Sequence, residues 1–196
     1  MTPEEIKDLW NKNGKEAAAA GTTMHENIER FYNECSVNDD SVEYTYFKQF
    51  HQSHDLIPYR TEWMIWDKEL KLAGSIDMIY TDETGNLHIY DWKRSKEIKK
   101  TGFGGKCSCN PILSHLPDSN FWHYSLQLNI YRGVLERKYG KTIKGMCLVR
   151  LHPDNAYKTY ERIEVPFLNK EVEKLFDYRL RQVQDEKREK HLAAIP

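Results

Sequence analysis

The stretch GSIDMIYTDETGNLHIYDWKRS, from Gly74 to Ser95, holds two apolar runs separated by a turn. Each run carries an aspartate, Asp77 and Asp91, and Lys93 follows two residues after the second. Burying a charge in an apolar strand is costly unless something pairs with it. The turn decides which charges meet. Taking Glu83-Thr84-Gly85 as a three-residue hairpin loop uses Gly85 for the left-handed position such loops require. Asp82 then faces Asn86, Tyr80 faces His88 and Asp77 faces Asp91. Directly opposed residues share a side of the sheet, with Cβ atoms ~4.5–5.5 Å apart, and Lys93 falls on that side too. The hairpin is otherwise apolar, with Ile76, Met78, Tyr80, Tyr90 and Trp92 on one face and Ile79, Leu87 and Ile89 on the other. Two carboxylates so close are unfavourable without a cation between them. One reading is a site for a hard divalent ion such as Mg²⁺, which takes carboxylate oxygens. The other is a buried salt-bridge cluster, a poor route to stability.

Outward from the hairpin, residues 3–20 read as a helix ending in an alanine run and Gly21. A second helix is expected from Thr23, because TMHE (Thr23–Glu26) has capping-box spacing, which puts His25 in its first turn. Residues 41–54 read as a short helix, and strands follow in RTEWMIWD, ELKLAGSIDMIY and LHIYDWK. Residues 95–120 read as a long irregular loop. The helix SNFWHYSLQLNIYRGVLERKYG comes next, with Gly140 as its C-cap. Two strands, GMCLVRLHP and KTYERIEVPF, and a charged helix from about Asn169 to His191 complete the chain. The expectation is one α/β domain over residues 1–196 with a mixed central sheet flanked by helices. It has N-terminal helices within 1–55, a core over about 56–166 and a C-terminal helix over about 169–191.

The chain of 196 residues has a formal net charge of −1, so nothing in its bulk charge argues for a nucleic-acid partner. Any site for a polyanion must be local. Residues 93–106, KRSKEIKKTGFGGK, hold six Lys/Arg against one Glu. They are either a solvated loop or a phosphate-tracking one. No stretch approaches the ~18 apolar residues of a membrane span. MTPEEIKDLW lacks the apolar core of a signal peptide. An intracellular protein with reduced thiols at Cys35, Cys107, Cys109 and Cys147 is therefore expected.

The sequence resembles the PD-(D/E)xK nucleases. GSIDMIY and IYDWK match the D…(D/E)xK signature, and the likeness is narrower to the RecB-type exonuclease branch, which includes mitochondrial genome-maintenance exonucleases and many viral and phage nucleases. GTTMHENIERFYN is similar to that branch's N-terminal helix with a metal-binding histidine, here His25. YRTEWMIWD resembles its strand with an acidic residue, here Glu62. YSLQLNIYRGVLERKYG resembles its QxxxY helix, here Gln127 and Tyr131. The resemblance spans roughly residues 10–152.

It implies a PD-(D/E)xK restriction-endonuclease-like core and hydrolysis of DNA phosphodiester bonds with one or two Mg²⁺ or Mn²⁺ ions. His25, Asp77, Asp91 and the Trp92 backbone carbonyl are then the metal ligands. Glu62 binds metal through water or orients Lys93, unless it is merely an edge-strand carboxylate. Lys93 orients water or stabilises transition-state charge, and Gln127 and Tyr131 reach the Lys93 end of the site. Arg94, Lys96, Lys99, Lys100, Lys106 and Tyr131 are the expected nucleic-acid contacts, with Phe103, Phe121 and Trp122 as candidates for stacking on unpaired bases. DNA, single-stranded or with duplex ends, is the implied partner, with a separate helicase or a replication or recombination protein beside it. The cysteine spacing does not match the relatives that carry an iron–sulfur cluster, so none is expected. Alternatives are a non-catalytic nucleic-acid-binding module on the same fold, and a zinc-binding interaction domain using Cys107, Cys109, His115 and His123.

Overall fold

The computed structural model describes residues 1–193. Five strands form one sheet in the order β1-β2-β3-β4-β5. They are β1 (Ile57–Asp67), β2 (Leu72–Thr81), β3 (Leu87–Lys93), β4 (Ile143–Arg150) and β5 (Glu161–Glu164). β3 and β4 are parallel and every other neighbouring pair is antiparallel, so the sheet is mixed as expected. The parallel step is bridged by α3 (Asn120–Tyr139), which ends on Gly140 at φ 61°, the left-handed C-cap its sequence called for. α1 (Pro3–Tyr32) and α2 (Val42–Gln52) lie at one face, while α3 and α4 (Asn169–Ala193) lie at the other. Among the described residues no helix is long and apolar enough to cross a membrane.

Two cores sandwich the sheet. On the α3/α4 face Ile79 and Ile89 pack with Leu128, Leu135, Val172 and Phe176. On the α1/α2 face Met78, Tyr80, Tyr90 and Trp92 pack with Met24, Ile28, Phe47 and Phe50. Full burial of such side chains contributes roughly 1.5–3 kcal/mol each. That burial fixes which way the strands face, and hence where their charges point.

The N-terminal region differs from its sequence reading. Two helices were expected, breaking at Gly21, but α1 is continuous through Gly14 and Gly21. Its capping box sits at the true start, where the Thr2 hydroxyl accepts from the Glu5 amide at 3.2 Å and the Glu5 carboxylate accepts from the Thr2 amide at 2.7 Å. Ala17–Ala20 carry the helix across the glycines, and burial of Met24 and Ile28 holds the segment beyond. TMHE lies within this unbroken helix, so Thr23 caps nothing and His25 sits well inside it.

Candidate active site

The hairpin has the register its turn chemistry demanded. Tyr80 opposes His88, Ile79 opposes Ile89 and Met78 opposes Tyr90. Gly85 takes φ 81° in the loop, and Asp82 Oδ1 accepts from the amides of Thr84 and Asn86 at 2.9 Å each. The side chains of Thr84 and Asn86 donate to the same carboxylate and, with the Asn86 amide, hold it far below the usual carboxylate range. Hydrogen-bonded pairing stops at Met78–Tyr90. Beyond it the Trp92 amide donates to Asp77 Oδ2 at 2.9 Å, so a side chain takes a bond the ladder would have made.

Asp77 stands where the sheet changes face. Met78 packs toward α1/α2, whereas Ile76, two residues earlier, packs toward α3. A regular strand would put both on one face, and so did the sequence reading. β1 turns over at the same level. Thr61 pairs with Met78 and Trp63 with Ile76, and Glu62 between them takes φ 41°. A positive φ at a non-glycine residue costs on the order of 1–3 kcal/mol and persists only where its surroundings impose it. Here it delivers the Glu62 carboxylate to Asp77 and to His25 of α1. One donor atom from each of His25, Glu62 and Asp77 lies within 4.8 Å of the others, the one such group of potential metal ligands among the described residues. His25 Nδ1 is 3.4 Å from Asp77 Oδ2. The Ser75 hydroxyl donates to Glu62 Oε2 at 2.8 Å, a positioning contact that the sequence did not signal.

Asp91 and Lys93 form the other half. The Lys93 ammonium forms an ion pair with Asp91 Oδ2 at 2.6 Å, and that buried oxygen has no other partner. The same ammonium sits 4.6 Å from the centre of the Tyr124 ring. Burial pushes the Asp77 carboxyl up to about 7, against the pull of Lys93. Burial, reinforced by the charge of Asp77, pushes Asp91 up to about 7 as well. Burial pulls Lys93 down, but Asp91, with Asp77 and Tyr124, raises it on balance, so it stays an ammonium. Burial lowers His25, which favours the neutral imidazole a metal needs, and the Trp92 main chain faces its ring.

These donors fit a hard divalent ion. Carboxylates and one neutral imidazole converge, and Asp91 Oδ2, beside the Lys93 ammonium, has lone pairs that no hydrogen bond uses. The zinc alternative does not assemble. Cys107 and Cys109 are free and exposed, while His115 pairs with Glu171 and His123 with Asp118, each at 2.9 Å.

On α3, Gln127 Nε2 donates to the Tyr131 hydroxyl at 2.9 Å, so the i, i+4 pair does share a face. Tyr131 lies over Gly74, where an added Cβ would stand 2.5 Å from the ring. Against Lys93 the helix presents Tyr124, one turn earlier and unremarked in the sequence, although it is i−3 from Gln127.

The segment after β3 is the irregular loop expected, with one short helical turn at Phe103–Gly105, and it is tied down. Asn120 accepts from the Lys99 amide and donates to the Glu97 carbonyl, and Trp122 donates to the Lys100 carbonyl, which ties the segment to the start of α3. Arg94 pairs with Glu43 of α2 at 2.6 Å in a largely buried contact. Lys96 and Lys99 pair in the open with Asp154 and Glu97, Lys100 sits over Phe121, and Lys106 is exposed. Of the three aromatics singled out for stacking, Phe121 belongs to the core, Trp122 is half-buried against it, and Phe103 is 90% exposed.

Compared with known families, the sequence matches the PD-(D/E)XK nuclease superfamily over residues 39–195, a span that holds Glu62, Asp77, Asp91 and Lys93 but not His25. No curated protein matches the chain.

Proposed function

The chain belongs to the PD-(D/E)XK nuclease superfamily, and from that premise we propose that it is a divalent-metal-dependent deoxyribonuclease, an exonuclease of the RecB type acting on ends or single strands. The observation that carries the reading is the convergence of His25, Glu62 and Asp77 beside the Asp91–Lys93 pair. His25, Asp77, Asp91 and the Trp92 carbonyl are the ligands in this proposal, and Glu62, held by Ser75, joins them directly or through water. When bound, the ion activates water and neutralises charge on the scissile phosphate. A nitrogen donor among the oxygens makes Mn²⁺ the stronger binder of the two candidate ions, Mg²⁺ and Mn²⁺.

The chain supplies the rest. Lys93, fixed between the Asp91 carboxylate and the Tyr124 ring, keeps its proton and places a positive charge where charge grows in the transition state. Its state suits an electrostatic role and not that of a base. Gln127 and Tyr131 brace the helix face that borders this end of the site. Lys96, Lys99, Lys100 and Lys106 supply phosphate contacts along the strand, and Arg94, tied to Glu43, fixes the loop that carries them.

The test is digestion of end-labelled single- and double-stranded DNA, with circular controls, in Mg²⁺ and in Mn²⁺. The proposal expects metal-dependent loss of linear substrates with circles spared. Absence of cleavage by folded protein across a full metal titration overturns the enzymatic reading and leaves a binding module on the same fold.

A further inference from the structure

Just past the catalytic strand lies a cleft of about 590 Å³, lined among others by Ala17 of α1, Lys96, Lys99, Phe103, Ser119 and Asn120; its two carboxylates, Glu97 and Asp118, already pair with Lys99 and His123. Ala17 is two helical turns before His25, about 12 Å along the axis, so one helix borders both the cleft and the metal-ligand cluster. The cleft sits at the N-terminus of α3, a twenty-residue helix whose N-cap Ser119 makes no capping hydrogen bond. Ser119 is nine-tenths buried, and its Oγ has no partner. A helix N-terminus favours an anion; the Phe121 amide already donates to the Lys99 carbonyl at 3.3 Å, and the unspent Ser119 hydroxyl is the ready donor there. Lys96 and Lys99 stand at the same place, engaged only in exposed pairs that contribute little and exchange readily for a phosphate oxygen. Phe103, 90% exposed, lies in the same cleft between Gly102 and Gly104. Water is a poor environment for that ring, and a nucleobase offers it a flat apolar face.

We propose that this cleft holds one unpaired nucleotide of the substrate strand next to the scissile bond. Its phosphate is bound by Lys96, Lys99 and the Ser119–Asn120 helix start, and its base stacks on Phe103. The inference rests on the nuclease reading and narrows it, because a base can offer its face to Phe103 only when it is unstacked from a duplex. The cleft thereby selects strands with a free or frayed end.

The test measures binding of a fluorescent oligothymidylate, and of an abasic strand of the same length, in EDTA so that nothing is cut. Base–aromatic stacking predicts that Phe103→Ala weakens the oligothymidylate by roughly five- to hundred-fold, leaves the abasic strand unchanged, and is rescued by Phe103→Tyr. Replacing Lys96 and Lys99 together with Ala weakens both strands and flattens the salt dependence. Equal binding of oligothymidylate by wild type and Phe103→Ala, or equal loss on both strands, overturns the subsite. The nuclease reading is judged separately, by whether wild type cleaves the same oligothymidylate once Mg²⁺ or Mn²⁺ is added. Selective loss without cleavage leaves the subsite standing and removes the enzyme.

Discussion

Two carboxylates with affinities near neutrality make the metal-free protein sensitive to pH in a direction that can be worked out. Asp77 is the cleaner of the two to perturb, because Asn in its place still offers an oxygen to the Trp92 amide. Its carboxyl moves from the ordinary 3.8 up to about 7 through burial. Since the folded value lies above the unfolded one, the folded state holds a proton that the unfolded state releases. The resulting stability is complete below pH ~4 and is lost as pH rises to about 7. The full loss is roughly 4 kcal/mol at about 1.36 kcal/mol per pH unit. Asp91 shifts alike, but the charge of Asp77 is one cause of its shift, so the two losses do not add. For a domain of this size about 4 kcal/mol corresponds to ~8–16 °C in Tm. His25 acts oppositely, since its lowered value means stability lost as pH falls below 6.5, and comparison with a variant that retains His25 subtracts it.

The assay is thermal unfolding of wild type and Asp77→Asn in EDTA at about pH 5 and about pH 8. Between pH ~5 and the folded value of about 7 lie about two pH units, so wild type should lose about 2.7 kcal/mol relative to the variant over that interval, and Asp77→Asn becomes the more stable protein at the higher pH. Adding Mg²⁺ or Mn²⁺ should restore wild type there by about 2.7 kcal/mol at a hundredfold excess over Kd. At the lower pH the ion must displace protons and should do little. Parallel pH curves for the two proteins, or equal metal stabilisation at both pH values, would refute the reasoning and return the cluster to a structural role.

Lys93→Ala should keep the metal-binding heat in calorimetry while cleavage falls by about 10²-fold or more, the range for removal of one electrostatic stabiliser. Loss of metal binding instead would make Lys93 a scaffold for the carboxylates. His25→Ala should raise the Mn²⁺ concentration needed for activity more than the Mg²⁺ concentration, because the nitrogen donor is what distinguishes the ions; an equal change in both metal titrations counts against ligation. Tyr124→Leu removes the ring face beside Lys93 and should lower kcat by roughly three- to thirty-fold with KM and Tm little changed, whereas Tyr124→Phe should preserve kcat. A loss in Tyr124→Phe as large as in Tyr124→Leu would exclude the cation–π account.

The hairpin was legible because its information is local. Asp82 and Gly85 set the loop, the loop sets the register, and the register places Asp91 and Lys93 on one face whatever the remaining chain does. Gly140 marked the end of α3 for a similar reason. The continuity of α1 was not legible, because Gly21 and TMHE form a plausible stop and start, and only the burial of Met24 and Ile28 overrides them. The face change at Glu62 left no periodic trace either. Apolar residues flank it on both sides in RTEWMIWD and GSIDMIY, so alternation gives no phase to read. Phe103, Phe121 and Trp122 look alike as letters, and only packing separates the exposed ring from the buried ones. Tyr124 was hidden as one more aromatic on a helix rich in them.

The charges set in apolar strands follow from that face change. In an unbroken ladder, Glu62 and Asp77 would sit in line with regular neighbours, and their carboxylates would point with one core or the other. Where β1 and β2 turn over, Ile76 packs with one core and Met78 with the other, and Asp77 stands between them. The Glu62 backbone is strained, the Trp92 amide must find a side-chain acceptor, and Asp91 Oδ2 is left without a hydrogen bond. Each of these is a cost that a purely structural strand would avoid by carrying Val or Ile at the same positions. Together they place three donor groups within 4.8 Å of one another beside a held ammonium. A bound cation would account for more of this than an ion pair does. It would give Asp91 Oδ2 a partner besides Lys93, let both aspartates ionise at neutral pH, and give Glu62 a reason for its conformation. A buried salt bridge would answer only for Asp91 and Lys93. It leaves the strained Glu62, and the histidine that α1 brings from outside the matched span, without a cause.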